Sequence, residues 1–436
     1  MTSKRLCTLE PGFSIGGPIQ SILPEQLIQT QFNLNVRDFE PNTDRYWMLQ
    51  ALLTSLSGIG ITNPNPAVGC VLVDKNGIEI SRGSTQAYPG IHAECSALQK
   101  VLDPSRLVDA VAYVTLEPCS HHGNQPPCID VLIASPIKRI IISRSDPDPR
   151  VNGEGIRKLK EAGKQVEIGL LHLETTAWNF PFFASQLLKR PICILKWAQT
   201  LDGQLADDSN RSQWISGPTS RAYTHWLRQR YDAILVGAGT LLADHPRLNV
   251  RDSILPHQNF PVPVILDPKG LCFQIDREKQ KELLSSTFIS DRSTVIITTE
   301  ESYKKQGPSW TQSYKHLHVL RILGKNLVDL IDETLTHLQT EEVQNILGHR
   351  LQSLFIEGGP KTHSLFLKAG YADLIHAFIA PVMTGGQRNR ISLNASLKDA
   401  ERFKKIACFS LDEDTVLELT TSNLYEKLFE DKFLSA

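Results

Sequence analysis

Apolar residues recur at helical spacing through Trp47, Met48, Leu49, Leu52, Leu53 and Leu56, with Asp44 ahead of them as N-cap and Gly58 as stop. That period predicts one core-facing helix. The period then shortens to that of strands. Ala67 to Val73 is an apolar run, Asp74-Lys75-Asn76-Gly77 a turn, and a second run continues through Ile80, so the chain predicts a β-hairpin. Tyr88-Pro89-Gly90 marks a turn before a short helix from Ala93 to Leu102. A strand from Ala110 to Leu116, a Pro126-Pro127 loop into a helix ending at Ala134, a strand from Arg139 to Ser143, a helix stopped by Gly163 and a strand from Gln165 to Gly169 follow. Strands alternating with helices predict a layered α/β domain whose sheet is mostly parallel beyond the hairpin. Ligands in such sheets sit at the carboxyl ends of the strands.

A second α/β series opens at Arg190-Pro191. Ile192 to Lys196 reads as an apolar strand, Ser216 as the N-cap of a helix with Pro218 in its first turn that runs to about Arg230, and Ala233 to Val236 as a buried strand. Leu354 to Ile356 leads through Glu357-Gly358-Gly359-Pro360 into a helix ending near Gly370, and Val416, Leu417 and Leu419 predict a last strand with a polar end. Glycines between strand and helix let backbone amides approach a phosphate, although the Gly-x-Gly-x-x-Gly spacing of a standard dinucleotide fold is absent. Residues 1–43 show no sustained period and read as an extension, flexible or loosely docked. The predicted organisation is therefore 1–43, a first domain over 44–188 and a second over 189–436.

Composition narrows the class. A chain of 436 residues suits two or three domains, and 41% hydrophobic with 21% charged residues is ordinary for a globular protein. A net charge of -1 argues against a nucleic-acid or membrane-surface role, because such binding rests on clustered positive charge. No apolar run reaches the roughly 18 residues of a membrane span, and no secretory core follows Met1. The eight cysteines are scattered, which predicts a reducing, cytoplasmic setting. Cys95 is the one expected beside the chemistry described next.

His92-Ala93-Glu94 and Pro118-Cys119 with Cys128 supply one imidazole and two thiolates, the ligand count of a catalytic zinc with an open position. Glu94 would move protons rather than bind metal, as in zinc deaminases. Residues two apart on a helix point about 200° away from each other, so His92 and Glu94 can share a site only at a helix's first turn. Cys119 is expected to start a turn or helix whose positive end favours the thiolate. The eight-residue gap between the cysteines departs from the usual two, and His121 or His122 could complete a closed structural site instead.

Taken together, His92-Ala93-Glu94, Thr115 to Gly123, Pro126-Pro127-Cys128, Lys196 to Gly203, Ser212 to Ile215, Leu242-Ala243-Asp244 and Ile356 to Gly359 resemble the riboflavin-biosynthesis bifunctional deaminase/reductase family from about 44 to 425. The resemblance implies a cytidine-deaminase-like α/β/α domain followed by a dihydrofolate-reductase-like α/β domain. It implies zinc on His92, Cys119 and Cys128, proton transfer by Glu94, and deamination of a phosphorylated diaminopyrimidine. NADPH-dependent reduction of its ribosyl group to ribityl would follow. Cofactor contacts would fall on Ala198, Trp214, Thr240, Asp244, Gly359 and Pro360, and substrate contacts on Ser212, Arg228, Leu248, Arg251 and Glu357. An arginine pair matches a phosphate, although Arg228 on a long helix could equally be a solvated side chain. Asn124 and Asp148 replace a cation and an amide of the family pattern, and His245 replaces an acid. Those first two changes raise a rival expectation, that only the reductase half is active and the deaminase half is a zinc-binding scaffold. A homo-oligomer, dimer or tetramer, is the expected assembly.

Overall fold

The computed structural model describes residues 39–122, 125–147, 153–209, 212–251, 260–324, 326–386, 389–393, 396, 398 and 400–430. Residues 1–38 of the predicted extension, and Asn124 and Asp148, lie outside the described residues.

The first sheet grows from α1 (Asp44–Ser55), β1 (Gly69–Val73), β2 (Glu79–Ser84), α2 (Ala93–Gln99), β3 (Val111–Val114), α3 (Cys128–Ala134), β4 (Arg139–Ile142), α4 (Glu154–Glu161) and β5 (Gln165–Ile168). Thr43, not Asp44, caps α1 through its side chain, while Asp44 faces Arg139 and Tyr113 across the domain. The hairpin forms as the Asn-Gly signal requires: Asp74 accepts from the amides of Asn76 and Ile78, and Gly77 takes φ +75. Strand order is β2-β1-β3-β4-β5, antiparallel around β1 and parallel from β3 onward.

Two glycines fix where the helices lie. Gly69 pairs with Ser84 and Cys70 with Gly83, so Gly69 and Gly83 face opposite sides of the sheet. A Cβ at Gly69 would come 1.8 Å from the Ala51 carbonyl of α1, and one at Gly83 would come 2.3 Å from the Ala97 amide of α2. Helix α1 therefore sits on one face and α2 on the other, each with its backbone against a strand. The predicted layers are present.

Helices α5 (His172–Trp178) and α6 (Phe180–Leu188) lead to the second sheet. It is built from β6 (Ile192–Thr200), α7 (Pro218–Gln229), β7 (Ala233–Gly237), α8 (Ala238–Asp244), β8 (Val262–Leu266), α9 (Arg277–Ser286), β9 (Thr294–Thr299), α10 (Glu300–Ser313) and β10 (Leu317–Ile322). Then come α11 (Leu327–His337), α12 (Glu341–Leu347), β11 (Ser353–Ile356), α13 (Pro360–Lys368), β12 (Leu374–Ala380), β13 (Phe403–Leu411), β14 (Asp414–Thr421) and α14 (Ser422–Phe429). The nine strands run β10-β9-β8-β7-β11-β6-β12-β14-β13, with β14 antiparallel to both of its neighbours, β12 and β13.

Three expectations are corrected here. Gly217 rather than Ser216 precedes α7, its amide held by the Asp414 carboxylate at 2.7 Å. The last strand is followed by α14, whose Leu424 and Leu428 are buried. That helix docks on α5 and α6, where Phe429 stacks on Phe180 and Arg144 donates to the Leu428 carbonyl at 2.7 Å. Cys119 does not start an element: it lies on a loop, and the helix begins at Cys128.

Because α2 reaches the sheet only through the missing side chain of Gly83, Gly83→Ala should push it outward. Overpacking of this kind costs about 1–3 kcal/mol. Calorimetry on the variant should show a lowered unfolding temperature, and metal analysis a loss of zinc, while NADPH-dependent reduction persists.

Candidate functional site

Two helices begin at one point. His92 is the N-cap of α2 and Cys128 the first residue of α3, with Cys119 on the loop between β3 and α3. His92 Nδ1 lies 3.4 Å from Cys119 Sγ and 3.3 Å from Cys128 Sγ, and the three ligand atoms fall within 4.8 Å of one another. Tetrahedral zinc, with Zn–S near 2.3 Å and Zn–N near 2.0–2.1 Å, sets its ligand atoms roughly 3.5–3.8 Å apart, so this donor set fits the ion. Among the described residues, no other group of His, Cys, Asp or Glu side chains converges in this way, and His121 and His122 are outside the cluster.

Local structure aims each ligand. The Glu117 carboxylate, buried, accepts from the amides of Asp146, Gly153, Gly155 and Ile156 at 3.0–3.3 Å, and so fixes the backbone two residues before Cys119. The amide of Cys128 donates to Cys119 Sγ at 3.2 Å, so the positive end of α3 reaches that sulfur although Cys119 is not in the helix. Glu94 is the second residue of α2, where the first turn lets it share the site with His92, and it is 3% exposed.

The protein groups alone are already poised for a cation. Hydrogen bonding from Cys128 and then from His92 pulls the Cys119 thiol down to about 4. The same contact with Cys119 raises His92 to about 9. Hydrogen bonds to Cys119 and Cys95, with burial, push the Cys128 thiol up. The His92 imidazolium and the Cys128 thiol thus hold protons that a divalent ion displaces on binding, while Cys119 is already a thiolate. Burial, reinforced by the Cys119 charge, raises Glu94 to about 7, the range a proton shuttle needs near neutrality. Cys95 adjoins the site as expected, but it is not alone: Cys70, fully buried, lies near enough for Glu94 to add to the burial that pushes its thiol up.

His92, Glu94 and Cys119 line a cavity of about 520 Å³, whose wall also includes Lys189, Arg190, Arg350 and Gln352 from beyond α6. A second cavity, of about 740 Å³, opens at the carboxyl ends of β6, β7 and β11. Ala198, Ser212, Trp214, Arg228, Thr240, Asp244, Leu248, Arg251, Glu357 and Gly359 all line it, and Pro360 follows as the first residue of α13. Helices α8 and α13 both start there with glycine N-caps that make no side-chain cap bond, the kind of terminus that receives phosphate oxygens, and the Gly359 amide donates to Thr240 Oγ1 at 3.1 Å. Trp214 stands 70% exposed with Arg221 against its ring, a surface on which a flat ring can stack. These features suit a nicotinamide dinucleotide.

Arg228 is not a solvated side chain. Its guanidinium makes a two-pronged pair with Glu357, both bonds at 2.7 Å, and donates to the Asn249 carbonyl at 2.9 Å. Burial opposes both charges and pairing overcomes it, holding Arg228 above and Glu357 below their ordinary values. Removing one partner from such a pair typically costs about 3–5 kcal/mol, so both residues carry stability. Arg251 is exposed, bonded to Asn249 and His225. His245 turns to Glu282, Nδ1 to Oε2 3.3 Å. Lys196 was not assigned a role from sequence, yet it lines this cavity half-buried, its pKa lowered by desolvation. Its signal was a lysine closing the apolar run Ile192-Cys193-Ile194-Leu195.

Similarity to known proteins divides the same way. Residues 41–144 match the cytidine and deoxycytidylate deaminase zinc-binding region, and residues 191–417 match the RibD C-terminal domain. The chain is 34% identical to the riboflavin biosynthesis protein RibD of Actinobacillus pleuropneumoniae, covering 89% of this chain and 98% of that protein. It is 36% identical to the Aquifex aeolicus protein of the same name, covering 86% and 97%. Among solved structures, the diaminohydroxyphosphoribosylaminopyrimidine deaminase/5-amino-6-(5-phosphoribosylamino)uracil reductase of Thermotoga maritima superposes with a TM-score of 0.71 at 31% identity, covering 87% of this chain and 98% of that one. Acinetobacter baumannii RibD gives 0.69 at 30% identity, covering 87% and 99%.

Metal analysis of the purified chain should find about one zinc per polypeptide. Cys119→Ser and Cys128→Ser should each lose zinc more completely than the roughly 10–100-fold typical of an outer-shell change, while Cys95→Ser should retain it.

Proposed function

This chain belongs to the RibD family of bifunctional deaminase/reductases in riboflavin biosynthesis, and we propose that its two cavities carry the two reactions through the residues assigned below. The protein is a zinc-dependent deaminase and an NADPH-dependent reductase. The first reaction is the hydrolytic deamination of 2,5-diamino-6-(5-phosphoribosylamino)pyrimidin-4-one, and the second reduces the ribosyl group to ribityl. We assign the deaminase to residues 44–188 and the reductase to 189–436, a division supported by the split of the strands between two sheets.

His92, Cys119 and Cys128 hold the zinc. Bound there, zinc lowers the pKa of a coordinated water from near 16 to about 7 and so supplies a nucleophile at neutral pH. Glu94 takes the proton released as water attacks the amine-bearing carbon, and returns it to the nitrogen that leaves as ammonia. The observation that carries this reading is the convergence, among the described residues, of three ligand atoms and not four, beside a buried carboxylate. Nothing observed favours a silent deaminase half.

In the second cavity, the uncapped starts of α8 and α13, with Thr240 and Gly359, hold the dinucleotide phosphates; Ala198, Trp214, Asp244 and Pro360 complete its cradle. NADPH supplies hydride when bound. The reduction also needs a proton for the sugar ring oxygen freed when its bond to C1′ breaks. We assign that proton to Lys196, which lines the cavity within electrostatic reach of the Arg228–Glu357 pair. Ser212, Leu248 and Arg251 complete the substrate contacts, Arg251 from an exposed position beside Asn249 and His225. The reading includes a homo-oligomer in a cytoplasmic setting. Support comes from exposed Leu201, Val382 and Met383, which are brought together where the Leu201 amide meets the Val382 carbonyl. Among the described residues, no helix is long and apolar enough to cross a membrane.

Supplying each substrate in turn separates the reactions. Glu94→Gln should keep zinc and NADPH oxidation with the deaminated substrate, but lose deamination by about 10²–10⁴-fold. Lys196→Met should do the reverse. Because the donor must be protonated and desolvation lowers its pKa, the wild-type reduction rate should fall with rising pH on a limb below the usual lysine value of about 10.4. A rate flat across that range removes Lys196 from the mechanism.

A further inference from the structure

The zinc-site cavity has a cationic wall, and none of that wall belongs to the half that carries the zinc ligands. Among the described residues, every lysine or arginine lining it lies past α6: Lys189, Arg190 and Arg350. Arg190 is committed to structure. Its guanidinium makes a two-pronged pair with Asp373 at 2.7 and 2.8 Å and rests on the Tyr371 ring, fastening β6 to the strand beside it. Lys189 and Arg350 are different. Both are exposed, and among the described residues neither has a carboxylate partner. Arg350 meets neutral oxygens, the Lys189 carbonyl at 3.4 Å and Gln339 Oε1 at 3.3 Å, so its guanidinium lies against the backbone of Lys189, 161 positions away in sequence.

The backbone presents them at a cost. Lys189 ends α6 in the left-handed region, φ +55, a position usually given to glycine or asparagine. Gln352, two residues beyond Arg350, donates to the Pro64 carbonyl at 2.7 Å, and Asn63 Nδ2 meets Asp232 Oδ1 at 2.5 Å. These bonds hold the second half against the loop that lines the zinc cavity. The acids on the wall are Glu94 beside the metal ligands, Glu117, engaged with four backbone amides, and the half-buried Asp146. Two cations on one wall of a cavity much larger than a pyrimidine ring, neither with a carboxylate partner among the described residues, fit a dianionic group at the far end of the ligand.

We propose that Lys189 and Arg350 bind the phosphate of the deaminase substrate, so that the second half completes the active site of the first. This rests on the deaminase reading given above. Its consequence is that deamination needs the second half as a binding wall even though the metal, the proton shuttle and the attacked carbon all lie in the first.

The test uses the full-length, zinc-loaded chain and two substrates, the phosphorylated diaminopyrimidine and its dephosphorylated riboside. In Lys189→Ala/Arg350→Ala, KM for the phosphorylated substrate should rise about tenfold or more while kcat stays within about twofold, the pattern of lost uniform binding. The riboside should be deaminated as by wild type, and Lys189→Arg/Arg350→Lys should recover most of the affinity. In a Glu94→Gln background, which binds without turnover, the double substitution should weaken equilibrium binding of the phosphorylated substrate by the same factor. An unchanged KM overturns the proposal. So does an equal loss for both substrates, which would mean that the two residues only dock the halves. A wild-type chain that deaminates neither substrate overturns the deaminase reading itself, an outcome the riboside control distinguishes from the other two.

Discussion

The first half depends on two helices starting at the same place. Helix α2 begins at His92 and α3 at Cys128, and each has its backbone or first turn held by something other than its own side chains: α2 by the bare backbone of Gly83, α3 by the Cys119 sulfur that takes its first amide. Because both helices are short, neither would persist alone in water. The contacts that stabilise them are the contacts that bring the ligands together. Folding of this region and assembly of the metal site are therefore one event, and the raised Glu94 carboxyl follows from the same burial.

The two halves are not beads on a string. Their apolar side chains form one continuous cluster, from Trp47 and Val71 through Trp178 and Phe183 to Trp226 and Leu428. Arg144 reaches from the end of β4 to the Leu428 carbonyl, and Arg230 reaches back to the Trp178 carbonyl. An interface of this kind resists relative motion, unlike the polar contacts of domains that swing apart. It fixes the cation-bearing segments around Lys189 and Arg350 as a wall of the zinc cavity, whereas the second cavity opens at the ends of β6, β7 and β11.

Legibility in the sequence tracked distance along the chain. His92, Glu94, Cys119 and Cys128 could be read because the spacing between them is short and the residue types are rare in combination. The hairpin could be read because Asn76-Gly77 has a backbone preference of its own. The second-cavity residues were reachable only through family resemblance, since nothing local in Ala198, Leu248 or Arg251 speaks of a dinucleotide or a sugar. The stretch that became β8, β9 and β10 went unassigned, because short apolar runs such as Val295 to Ile297 read equally as buried helix or strand. Helix α14 was missed because Leu424 and Leu428, one turn apart, are too short a period to stand out in eight residues; its stabilisation comes from docking on α5 and α6. The Arg228–Glu357 pair and the Lys189–Arg350 neighbours are long-range facts, and no window on the sequence contains both members.

Zinc-edge X-ray absorption on the purified chain tests the central claim most directly, since it counts the atoms around the metal. The account predicts about two sulfurs near 2.3 Å, one imidazole nitrogen, and one light oxygen scatterer in the remaining position. A third sulfur, contributed by Cys95, or a second imidazole from the loop after Cys119, would close the coordination sphere and leave no place for water to react.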